Sequence, residues 1–101
     1  MQNFFWEVTG VQGFVLVDIL PNNLTVTEKS IVVASVSEIN IPQGSTAGSA
    51  NNDPFLGAAN HIAIQNIIPL RNGHILVAIE TNWTNGPINL RISGSVLGEI
   101  T

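Results

Sequence analysis

Apolar and polar residues alternate with a period of two along much of this chain, the pattern of half-buried β-strands. The fullest instance runs from His61 to Trp83, where two apolar runs meet at Asn72-Gly73. Asn-Gly between alternating runs predicts a hairpin, because both residues tolerate the positive φ of a type I′ turn. A two-residue loop would pair Leu70 with Ile75, Ile68 with Val77, Ile64 with Thr81 and Ile62 with Trp83. One face would then carry Ile62, Ile64, Ile68, Leu70, Ile75, Val77, Ile79 and Trp83. The other would be mixed, with Ala63, Ile67, Leu76 and Ala78 beside His61, Gln65, His74 and Glu80. Pro69 argues against the tight loop, since its missing N–H would break the ladder opposite Leu76. A four-residue loop, Leu70 to Gly73, relieves that conflict. It moves the register by two, so every side chain keeps its face.

The remaining strands are read in the same way. Asn3 to Thr9 alternates, with Phe4, Trp6 and Val8 on one side, and it holds three of the chain's six aromatics. It is expected to supply the bulkiest part of the core. Gly10 to Gly13 is a turn. Phe14 to Leu20 is almost continuously apolar, with Asp18 as the odd member, as in a central strand covered on both sides or a strand at an oligomer contact. Leu24 to Thr27 alternates, Glu28-Lys29-Ser30 turns, and Ile31 to Ile41 is a long strand with an expected bulge near Ser35 to Glu38. Ile88, Leu90 and Ile92 alternate again, and Gly94 is expected to mark a bulge before Val96 and Leu97.

Only residues 43–60 break the pattern, and their first eleven residues contain no bulky apolar group. Such long connections are uncommon in compact domains. This one reads as a surface crossing between two sheets, with Phe55 and Leu56 pinning its far end. No helical periodicity persists. About seven strands in a chain of this length predict an all-β, single-domain antiparallel β-sandwich, jelly-roll-like, spanning 1–101 around the hairpin 61–83.

Charge narrows the partners. Charged residues make up 10% of the chain, against roughly a quarter in an ordinary soluble domain. The three cations, Lys29, Arg71 and Arg91, are scattered in a chain of net charge −4, too few for a nucleic-acid footprint or an anionic membrane surface. Copies of so neutral a surface repel one another weakly, which favours self-association. The longest apolar run is too short to span a bilayer, and the first residues have no cationic, signal-like region, so localisation is left open. Zero Cys excludes disulfides, thiolate chemistry and Cys-based zinc sites.

The inventory for catalysis is thin. His61 and His74 lie at opposite ends of the hairpin, and neither sits in a nucleophile motif, so each reads as a surface or interface imidazole. Neither a catalytic nor a cofactor site is assigned. Asn51-Asn52-Asp53 is the densest oxygen cluster, but one carboxylate and two amides fall short of a calcium site, and a turn before Pro54 explains them. With Asn82, Trp83 and Asn85 they compose a candidate carbohydrate-binding loop, an aromatic for stacking and amides for hydroxyls. The simpler expectation is that Trp83 closes the core.

Ala63, Ile67, Leu76 and Ala78 compose a candidate oligomer face, because apolar residues behind a strand imply something that covers them. The leading expectation is therefore a non-enzymatic, self-associating structural or adhesive module, such as a coat, decoration or appendage subunit of a particle. A small lectin-like protein without calcium is the alternative.

Overall fold

The computed structural model describes residues 2–49, 51–54, 61–83 and 86–101. The expected all-β sandwich is present. The strands are β1 (Gln2–Val11), β2 (Phe14–Ile19), β3 (Ser30–Asn40), β4 (Asp53–Pro54), β5 (Ile62–Pro69), β6 (Ile75–Thr81) and β7 (Ile88–Glu99). A larger antiparallel sheet has the order β1-β7-β3-β4 and a smaller one the order β2-β6-β5. Alternation sets the inner faces. In the larger sheet Phe4, Trp6, Val8, Leu90, Ile92, Val32 and Val36 turn inward, and in the smaller sheet Val17, Ile19, Ile75, Val77 and Ile79 meet them.

Two expected strands resolve differently. Leu24 to Thr27 keeps its alternation, with Val26 buried, but joins no ladder. The two-residue β4 makes the seventh strand instead, pairing Asp53 and Pro54 with Asn40 and Ile39. Phe14 to Leu20 is not a central strand. As β2 it borders the smaller sheet and pairs with β6 alone among the described strands.

The hairpin tip is also corrected. Leu70 accepts the Gly73 N–H at 3.1 Å and donates to the His74 carbonyl at 2.8 Å, which closes a three-residue loop, Arg71-Asn72-Gly73. Only Gly73 takes positive φ (93°), so this is a type I turn followed by a glycine bulge, not a type I′ turn. Asn72 Oδ1 accepts the His74 N–H at 3.1 Å, the local bond that suits Asn to this position.

The register therefore lies between the two expected ones, pairing Pro69 with Ile75, Ile68 with Leu76 and Ile67 with Val77. Leu70–His74 is hydrogen-bonded, so by alternation the nitrogen of Pro69 points to the open edge and no ladder bond is lost. A bulge at Gln65 then shifts the phase, and Ile64 faces Ile79 while Ile62 faces Thr81. Ile62, Ile64 and Ile67 reach the core and Ile68 is left outside. The expected faces hold for Ile62 and Ile64 and for Ile75, Val77 and Ile79 of β6, and are reversed at Ile67 and Ile68 of β5.

No bulge lies at Ser35 to Glu38, where β3 pairs with β7 without a break. The alternation there loses phase because Ile39, outward by parity, is buried where the chain folds back as β4. Gly94 also keeps register. A Cβ on it would lie 2.5 Å from the Phe4 ring and 2.7 Å from the Val33 carbonyl oxygen, so glycine makes room for the aromatic. The irregularity in β7 falls one turn of the pleat later, between the Ile31–Gly98 and Val32–Val96 pairs.

Candidate functional site

The outer faces of the two sheets differ in character. On the larger sheet, Glu7 of β1 and its cross-strand partner Arg91 of β7 both point outward. Like-spaced residues of opposite charge across a ladder are placed to pair, and Arg91 Nε donates to Glu7 Oε2 at 2.7 Å. The connection after β3 closes over them. Gly48 N–H and Asn52 Nδ2 donate to Glu7 Oε1 at 2.5 and 2.8 Å, and Arg91 Nη2 donates to the Asn52 carbonyl at 2.7 Å. Asn52 Nδ2 also donates to the Thr46 carbonyl at 2.9 Å, so one side chain ties the loop to itself and to the sheet.

The Glu7 side chain has no exposed area, and Arg91 keeps 21%. Burial alone would raise the carboxyl pKa. The donated bonds from Asn52, Gly48 and Arg91, with the guanidinium charge, outweigh it and hold the group below its ordinary 4.5. Arg91 also lies over the Phe5 ring, 5.8 Å from its centre. The arrangement fixes a loop. It leaves no ionised oxygen free to act as a base.

The outer face of the smaller sheet is apolar. Across it run Phe14, Glu80 and Ala63, then Leu16, Ala78 and Asn66, then Asp18, Leu76 and Ile68. Phe14 and Leu16 are each 54% exposed, Leu20 beyond them 49% and Ile68 36%. Two of its polar members, Asp18 and Glu80, are tied down locally. His74 Nδ1 lies 2.8 Å from Asp18 Oδ1, and Gln65 Nε2 donates to Glu80 Oε1 at 3.4 Å.

The residues singled out in the sequence divide between these places. Ala63, Leu76 and Ala78 lie on this outer face, whereas Ile67 turns inward and packs against the core. Asn52 belongs to the Glu7–Arg91 cluster, with Asn51 exposed beside it and Asp53 in β4. Trp83 does not close the core. The last inward residue of β6 is Thr81, which exchanges bonds with Gly13: the Gly13 N–H donates to Thr81 Oγ1 and the Thr81 N–H to the Gly13 carbonyl, both at 2.9 Å.

Trp83 is 62% exposed and its ring lies on Gly13, where a Cβ would come within 2.4 Å of it. Gln12 Nε2 donates to its carbonyl at 2.6 Å. The two halves of the expected carbohydrate loop thus engage different partners, Asn52 over the larger sheet and Trp83 at the β1–β2 turn. Asn85, Phe55 and Leu56 lie outside the described residues. Among the described residues no group of three His, Asp or Glu is placed to hold a metal ion, and no helix is long and apolar enough to cross a membrane.

Sequence reasoning missed Glu7 and Arg91 as a pair, since 84 positions separate them. It read Phe14 to Leu20 as a covered central strand or a strand at an oligomer contact, and left Phe14 and Leu16 out of the candidate face itself. That continuous run held the signal for them. Comparison with protein-family models, with curated proteins and with solved structures finds no match to this chain.

Proposed function

We propose that this protein is a self-associating structural or adhesive module, in which the outer face of the smaller sheet meets further copies of the chain. The observation that carries the reading is that face itself. Phe14, Leu16 and Ile68 are open to solvent together around Leu76 and Ala78. Contiguous apolar surface of this kind marks contact sites in soluble proteins. The low charge of the chain supports a partner of the same kind, because like copies repel weakly. A coat, decoration or appendage subunit fits these properties.

Sedimentation or light scattering at high micromolar concentration tests it. The expected mass is a multiple of 10.8 kDa, and Leu76→Asp returns it to one chain that still folds. A single-chain mass for the native protein sinks the reading. Exposure of Trp83 favours a second function, stacking on a sugar ring. Its test is Trp fluorescence during glycan titration, with and without calcium, where an unperturbed emission removes it.

A further inference from the structure

Half of the backbone hydrogen-bonding groups of β2 face no partner strand among the described residues. Thr81 donates its N–H to the Gly13 carbonyl, so Gly13–Thr81 is a hydrogen-bonded pair. By alternation Val15–Ile79, Val17–Val77 and Ile19–Ile75 are bonded pairs too. The N–H and C=O groups of Phe14, Leu16 and Asp18 therefore point away from β6. A cleft separates them from β1, with Val8 and Gly10 on its far side. Their side chains are the outward ones, so one short stretch offers both bare backbone and exposed apolar groups.

Other edges carry devices that hinder pairing, as natural sheets commonly do. β5 has Pro69 and the bulge at Gln65. β1 is broken by a bulge between Val8 and Val11, where Gly10 takes φ 67°. β3 is paired at Ile39 and Asn40 by β4, and β5 packs beside it, although residues 30–38 themselves carry neither proline nor glycine. β2 has neither a proline, a glycine nor a bulge, and Asp18 is its one charge.

We infer that β2 is the strand through which two copies join, antiparallel about a two-fold axis at Leu16, so that the smaller sheet continues from one copy into the other. This rests on the self-association proposed above and names its geometry. Centring on Leu16 sets Leu16 against itself and Phe14 against Asp18 of the other copy, and it uses every free group, about two bonds per pair. Centring on Asp18 would set two carboxylates face to face, which is repulsive. Six extended residues span only ~20 Å, so a stable contact also needs the side chains of Phe14, Leu16 and Leu20 to approach the standard interface size.

Because the chain has no cysteine, a single introduced one reports contact cleanly. A hydrogen-bonded antiparallel pair sets Cα atoms about 5.5 Å apart, within disulfide range. Leu16→Cys is expected to convert nearly completely to a linked dimer under mild oxidation, while Ile68→Cys and Val33→Cys, also exposed, stay reduced. Amide exchange at Phe14, Leu16 and Asp18 in the native protein is expected to slow strongly on concentration. If the native protein associates while Leu16→Cys stays reduced, or while those amides exchange freely, the β2 pairing is overturned and self-association stands. Linkage through Val33→Cys instead moves the contact to β3 and likewise overturns it. A native protein that is monomeric at every concentration overturns both.

Discussion

Two residues show how the chain spends its few special positions. Gly94 is glycine because Phe4 occupies the space above it. Gly94→Ala should cost about 1–3 kcal/mol through overpacking, measured by urea denaturation. Adding Phe4→Leu should recover part of that loss, and strictly additive costs would refute the contact. Glu7 is the other. Its folded pKa lies below the unfolded value, so the stability it contributes is full above pH ~4.5 and is lost as the pH falls through the lower folded value. Glu7→Gln should cost about 1–3 kcal/mol at neutral pH and flatten the acid limb of the stability profile. Neither role was legible in the sequence. Gly94 looked like a bulge, since a lone glycine in a strand does not say whose ring lies over it. Glu7 and Arg91 stand at opposite ends of the chain.

At the scale of elements, a continuous apolar run located β2, while alternation, a period of two imposed by the pleat itself, located β1, β3, the hairpin and β7. It did not fix register at the hairpin. Asn-Gly serves a type I turn with a glycine bulge as well as a type I′ turn, and the two differ by one residue. That one residue decides which isoleucine is inside. Ile67→Asp should therefore unfold the domain, whereas Ile68→Asp should leave a cooperative thermal transition near the native one. The opposite result would restore the register expected from the sequence. Asn51, Asn52 and Asp53 illustrate the same limit. Their composition suggested a turn or a ligand loop, and Asn52 instead reaches back to β1 through partners that no local pattern reveals.

For the whole molecule, the fold class followed from strand count and chain length, whereas the sheet order did not. Alternation names strands and not their neighbours. Among the long ladders only β5–β6 joins strands adjacent in sequence, while β1 and β3 both pair with β7. Closing those loops before contacts reward them makes folding slow. Refolding followed by Trp fluorescence should take on the order of milliseconds to seconds, and a microsecond phase carrying the full amplitude would contradict this topology. The outer faces were legible only in part, since Ala63, Leu76 and Ala78 were expected on one and lie there, whereas Glu7 and Arg91 were not placed on the other. Polar and apolar outward residues look alike until the loop that covers one sheet, and not the other, is in place.

The extra residue at Gln65 gives β5 something like a reading frame. Upstream of it the even-numbered residues are interior, and downstream the odd-numbered ones are. Removing Gln65 would bring the two halves into one frame, with Ile64, Asn66 and Ile67 opposite Ile79, Ala78 and Val77 in unbroken alternation, so Ile62, Ile64 and Ile67 would all stay interior. Deletion of this exposed glutamine should thus cost little more than Gln65→Ala, which touches only a long bond to Glu80. Thermal melts of the two variants would check it. What the deletion would remove is the irregularity itself, leaving Pro69 alone to discourage a neighbour along that edge.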